Sequence, residues 1–158
     1  MKVAALPCAL AVCACGQMGD LDYHCASIEG ALVCADRGDQ WVDVAIVFAL
    51  VDAEMSPLGY DVYRDANGRV EIDWTLQVSG AGGTGAYVLG SSTIQLLDVP
   101  AHCWQQTLAH ELLHLIEDIE LGASYRAMRD HTTPGFFGRG NAESRLYQQI
   151  KERGMCDE

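Results

Sequence analysis

Two histidines and a glutamate carry the clearest chemical signal in the chain. His110 and His114 stand four apart around Glu111 in TLAHELLHLIEDIELG, Thr107 to Gly122. Residues at i and i+4 are neighbours on a helix surface, so both imidazoles can point at one ion about 2 Å from each nitrogen. Glu111, one residue round from His110, can stand beside that ion without ligating it and take a proton from water. This is the HExxH pattern, and its chemistry is zinc-assisted hydrolysis. The alternative is a leucine-rich surface helix that happens to carry two solvent-facing histidines.

A catalytic zinc takes three protein ligands and keeps one position open. Glu117 lies seven residues beyond His110, about 10 Å along a helix axis, too far for easy convergence. Glu120 stands where HExxHxxGxxH would place a third ligand, but Glu117 replaces the helix-breaking glycine of that pattern and Glu120 is carried round the helix. Two candidates lie downstream. His131, in RDHTTPGFFG, is on a loop that could swing in; Glu143, in GNAESRLYQQI, opens what reads as the next helix, with Asn141 as its N-cap.

These side chains need elements to hold them. At 100° per residue, Trp104, Leu108, Leu112, Leu115 and Ile119 fall on one arc, a core-facing stripe, and the two histidines fall on another. Asp98 and Pro100 start this helix and Gly122 stops it, which predicts a helix from Pro100 to Leu121 after the strand SSTIQLLDV. Upstream, the apolar run from Trp41 to Met55, stopped by Ser56-Pro57, predicts a second helix. YDVYRDA and RVEIDWTLQVS alternate on either side of Asn67-Gly68 and predict a β-hairpin. A calcium loop there is excluded, because Gly68 in sixth place puts Tyr63 first and Trp74 twelfth, where carboxylates are required. SGAGGTGAYVLG lacks the lysine of a phosphate loop and reads as a flexible connection.

The whole chain sets the bounds. Its 158 residues suit one domain, and 49% hydrophobic with 20% charged residues describes a globular protein. A net charge of -12 sets nucleic acid aside as a partner, since such binders rely on Lys and Arg. MKVAALPCALAVCACGQMGD has Lys2, an apolar run from Val3 to Ala14 and then polar residues, the layout of a secretory signal peptide. Val12-Cys13-Ala14-Cys15-Gly16 resembles a bacterial lipobox, so residues 1–14 would be removed and Cys15 acylated, leaving 15–158 as a single exported domain. Membrane contact would come only through that lipid. Cys25, Cys34, Cys103 and Cys156 then form an even set. Two disulfides are expected, with Cys25–Cys34 as a local loop bridge and Cys103–Cys156 preferred among three possible pairings.

HELLH, followed after a loop by a helix bearing Glu143, resembles the gluzincin class of zinc metallopeptidases, the thermolysin-like group, over roughly Ser91 to Ile150. The resemblance implies Zn2+ on His110, His114 and Glu143, with Glu111 as general base and then general acid. It also implies that SSTIQLL is the edge strand on which an extended peptide substrate pairs. The place four residues after the third ligand, an orienting aspartate in thermolysin, is Tyr147 here. His131 is the preferred donor to the oxyanion, ahead of Tyr125 and Tyr147, because Pro134 and glycines flank its loop. The expected fold is α+β and minimally zincin-like: a small twisted, mostly antiparallel sheet packed on the HExxH helix, then a ligand-bearing helix. The expected protein is an exported zinc metallopeptidase acting on a peptide or protein. The alternative is a non-catalytic exported zinc-binding or interaction module on the same scaffold.

Overall fold

The computed structural model describes residues 24–28, 31–35, 37–62, 69–75, 84–88, 92–97, 103–122, 131 and 133–156. Five strands are β1 (His24–Ile28), β2 (Ala31–Ala35), β3 (Arg69–Thr75), β4 (Gly85–Val88) and β5 (Thr93–Leu97). Among the described residues the α-helices are α1 (Trp41–Met55), α2 (Trp104–Leu121) and α3 (Ala142–Glu152). The strands form one mixed sheet in the order β1-β2-β3-β5-β4.

The alternation within β3 shows why the sheet has two unlike faces. Val70 and Ile72 are buried and Trp74 packs edge-on to Trp104 at 5.3 Å, while Glu71 and Asp73 point the other way. β5 repeats this with Ile94 and Leu96 buried between Thr93, Gln95 and Leu97. A strand has a side-chain period of two, so one face of the sheet is apolar. α2 packs on β4 and β5, α1, α2 and α3 each contact the other two, and their buried side chains join those of the sheet in one core. Phe48, Met55, Leu108, Leu112, Leu115 and Leu146 are among the fully buried side chains where they meet.

α1 occupies the predicted residues. It is the crossover between β2 and β3, which run parallel; two parallel strands cannot be joined by a tight turn. β3 also pairs parallel with β5, and the outer ladders, β1 with β2 and β4 with β5, are antiparallel. The α+β class stands, with a sheet divided evenly between the two ladder types. The expected hairpin does not form around β3, because both of its edges are already occupied by β2 and β5. Tyr60 to Val62 contains no strand, and the Asn67-Gly68 turn lies outside the described residues.

The two preferred disulfides are both present. Cys25–Cys34 joins residues directly opposite each other on β1 and β2, so it crosses a strand pair where a loop was expected. Cys103–Cys156 ties the start of α2 to the residues after α3. Disulfides persist in oxidising surroundings, so they point to an extracellular environment. Among the described residues no helix is long and apolar enough to cross a membrane. The signal-like segment and Cys15 lie outside the described residues.

Candidate metal centre

α2 is a central helix rather than one with a single apolar stripe. Leu108, Leu112 and Leu115 are buried as expected, but so are Leu113 and Ile116, whereas Ile119 is 41% exposed. The sheet, α1 and α3 surround α2 on several sides, so the stripe reaches further round the helix than the leucine spacing alone suggested. Asp43 on α1 accepts a hydrogen bond from buried Gln105 at 2.9 Å, holding the first turn of α2.

The edge strand β4 grips the middle of this helix. The Tyr87 backbone N–H donates to Glu111 Oε2 at 2.7 Å and the Tyr87 hydroxyl donates to Asp118 Oδ2 at 3.0 Å. Gly85 makes that approach possible. A Cβ there would run into the Thr107 methyl group and lie 3.1 Å from Glu111 Oε1, so the backbone can pass only without a side chain. SSTIQLL was expected to be the edge strand, but β5 has β3 on one side and β4 on the other. The edge on this side of the sheet is β4, formed within the glycine-rich stretch expected to be a loop.

Three ring nitrogens converge at the opposite end of the constellation. His114 Nε2 lies 3.1 Å from His110 Nε2 and 3.0 Å from His131 Nε2, and His131 and His110 are 3.2 Å apart. His131 joins the pair with φ 56°, a left-handed conformation uncommon for a residue other than glycine. The Phe137 ring lies beneath all three imidazoles, with centroids 5.1, 4.7 and 4.8 Å from His110, His114 and His131. Phe137 is buried, as is Phe136, which packs edge-on to Tyr60 at 5.1 Å. The loop carrying them is fastened to α3, whose first amides, Ala142 and Glu143, donate to the carbonyls of Gly135 and Phe136. Asn141 stands at the N-cap, but its side chain turns back to the Phe137 carbonyl.

Two carboxylates hold the far sides of the helical histidines. His110 Nδ1–H donates to Glu143 Oε1 at 2.7 Å, and His114 Nδ1–H donates to Glu117 Oε2 at 3.3 Å. A proton on each Nδ1 leaves the Nε2 lone pairs facing the shared centre. Glu143 Oε2 accepts from Gly138 N–H at 3.0 Å, and Tyr147 donates its hydroxyl to Oε1 at 3.3 Å. Gly138 has φ 93°, which brings that amide round to the carboxylate.

The electrostatics follow from burial and these bonds. Burial holds the His110 imidazole below its ordinary range and His114 adds to this, against the hydrogen bond that His110 donates to Glu143. Burial pushes the Glu111 carboxyl above the usual carboxylate range, opposed by His114 and the Tyr87 amide. Glu143 is pushed up by burial, but the bonds from Gly138, His110 and Tyr147 outweigh that and hold it low. Burial and the adjacent Glu143 raise the Tyr147 hydroxyl, keeping it a neutral donor.

His110, His114 and His131 therefore form a group that could hold a metal ion. Three lone pairs aimed at one point repel unless a cation sits between them. A tetrahedral ion about 2.0–2.1 Å from each nitrogen keeps its ligands roughly 3.3 Å apart, close to the observed spacing. Two residues stand differently from the expectation. Glu143, expected to ligate, is behind His110, where its carboxylate is engaged by Nδ1 and Gly138. His131, expected to serve the oxyanion, has its Nε2 in the triangle. Tyr125, the other donor considered, lies outside the described residues.

Phe137, Gly85 and Tyr87 were not foreseen as part of the site. Phe136-Phe137 gave a usable signal, since two adjacent phenylalanines in a glycine-rich loop must be buried somewhere. No protein-family model matches the chain, and neither a curated protein nor a solved structure matches it.

Proposed function

We propose that this protein is an exported zinc-dependent metallopeptidase, with His110, His114 and His131 as the protein ligands of Zn2+ and Glu111 as general base and then general acid. The observation that carries the proposal is the convergence of three Nε2 atoms within 3.0 to 3.2 Å on the helix that also presents a buried glutamate. Three imidazoles with an open fourth position suit catalytic zinc better than the oxygen-seeking cations. When bound, such an ion supplies a Lewis acid for the scissile carbonyl and makes an attacking water acidic near pH 7.

The chain's own groups account for the remaining steps. Glu111 is a stronger base than an exposed carboxylate because burial disfavours its charged form. It can take a proton from the attacking water and return it to the leaving amine. The Tyr87 amide holds Oε2 and leaves Oε1 as the proton-carrying atom. Phe137 and the buried wall of α2 limit water around the rings. Support for a peptide over another carbonyl substrate comes from β4, one of the two outer strands of the sheet, which lies against α2 beside Glu111; extended peptides add to such strands. The signal-like N-terminus supports export, with Cys15 as the acylated anchor.

Glu111→Gln tests the proposal. The variant keeps its zinc and loses about 100- to 10,000-fold in peptide hydrolysis, the usual contribution of a positioned base. Zinc bound equally by both forms, with neither cleaving a broad peptide library, leaves a non-catalytic zinc module and overturns the enzyme. A wild type that holds no zinc after metal-free purification and reconstitution overturns the metal centre itself.

A further inference from the structure

Glu117 is a poorly satisfied carboxylate in a fully buried place. It sits on α2 three residues after His114 and is entirely buried, and among the described residues only one of its oxygens has a partner. Oε2 accepts from His114 Nδ1 at 3.3 Å, while Oε1 has no hydrogen-bond partner among the described residues. A carboxylate taken out of water with half of its acceptors unmet is strongly unfavourable. Leu113 and Ile116 on the same helix are fully buried and apolar, so a leucine at 117 would agree better with the local pattern. A residue that breaks a local rule without a structural gain marks a place where function sets the choice.

Glu143 makes the contrast plain. It is bonded to His110 at 2.7 Å, receives two further donors and is partly exposed, so it is well satisfied without any ion. Among the described residues Glu117 has His114 alone.

We infer that Glu117 is a positioning residue for the metal. By accepting the Nδ1 proton it keeps the His114 lone pair on Nε2, fixes the ring toward the triangle and makes that nitrogen a better donor. A cation arriving on the Nε2 side offsets the unfavourable burial of Glu117, which the metal-free fold bears alone. The inference rests on zinc binding by the three histidines and adds a residue outside them. It requires that replacing Glu117 lower metal affinity without lowering metal-free stability, which replacing a purely structural carboxylate would not do.

The test uses the full chain as wild type, Glu117→Gln and Glu117→Leu. Zinc affinity is measured by competition with a chromophoric chelator, and thermal midpoints are measured after metal removal. Both variants are expected to bind zinc roughly 10- to 100-fold more weakly, with metal-free midpoints equal to or above that of the wild type. Unchanged affinity overturns the role. Weaker binding together with a lower metal-free midpoint in Glu117→Gln also overturns it, because Glu117 would then be part of the scaffold. If Glu117→Leu does not fold, the near-isosteric Gln variant decides alone. Failure of the wild type to bind zinc is a separate result, which removes the metal centre and this inference with it.

Discussion

The candidate metal centre has a helix half and a loop half, and they are built on different principles. His110, Glu111 and His114 are placed by the 3.6-residue period of α2, with Glu111 buried and clamped by Tyr87 from β4 and the two imidazoles half-buried. His131 and Phe137 belong to a stretch where the backbone repeatedly takes positive φ, at His131, Gly135, Gly138 and Gly140. No periodic pattern sets their positions. Burial of Phe136 and Phe137 draws the loop in, and Glu143 joins the two halves by bonding His110 with one oxygen and Gly138 with the other. The helix half is a local consequence of sequence spacing, whereas the loop half exists only once the tertiary structure has closed.

The sharpest way to break that division is His131→Ala. If the loop supplies the third ligand, zinc affinity falls by more than roughly 100-fold, beyond the 10- to 100-fold typical of losing an outer hydrogen-bond partner. Chelator competition against Glu143→Gln measures this, and a smaller loss for His131→Ala than for Glu143→Gln returns the third position to the helix carboxylate. Gly85→Ala attacks the helix half. The new Cβ meets Thr107 and Glu111, so the variant loses about 1–3 kcal/mol of stability, as overpacked sites do; an unshifted denaturant midpoint would show that β4 does not clamp α2.

The smallest effect is a pH dependence of the metal-free protein. Burial lowers the folded-state pKa of His110, so below about pH 6.5 the unfolded chain takes up a proton that the folded state resists. Stability is therefore lost as pH falls through that value toward the lower folded one. The difference in midpoint between wild type and His110→Gln isolates this contribution, and a wild type that gains on His110→Gln upon acidification reverses the sign.

The same division explains what could be read from the sequence. α1 was legible to the residue because a continuous apolar run closed by Ser56-Pro57 needs no partner to be recognised. The His pair was legible because i and i+4 have a fixed relation on a helix. The sheet was less so. β1 and β2 went unseen, and without β2 nothing marked α1 as the crossover to a parallel β3, so Asn67-Gly68 suggested a hairpin instead. β4 was hidden because its glycine, the feature that lets the strand touch α2, also marks a loop. His131 and Glu143 were both picked out, but dividing them between the two ring nitrogens of a histidine depends on orientation, which residue spacing does not carry.

The Cys103–Cys156 bond makes the segment between them a covalent ring. His110, Glu111, Glu117, His114, His131 and Glu143 all lie within it. A single backbone cut between the helix half and the loop half would open this ring without releasing either piece. Such a nicked molecule would run as one species until its disulfide is reduced, and its two halves would stay close enough to find each other again.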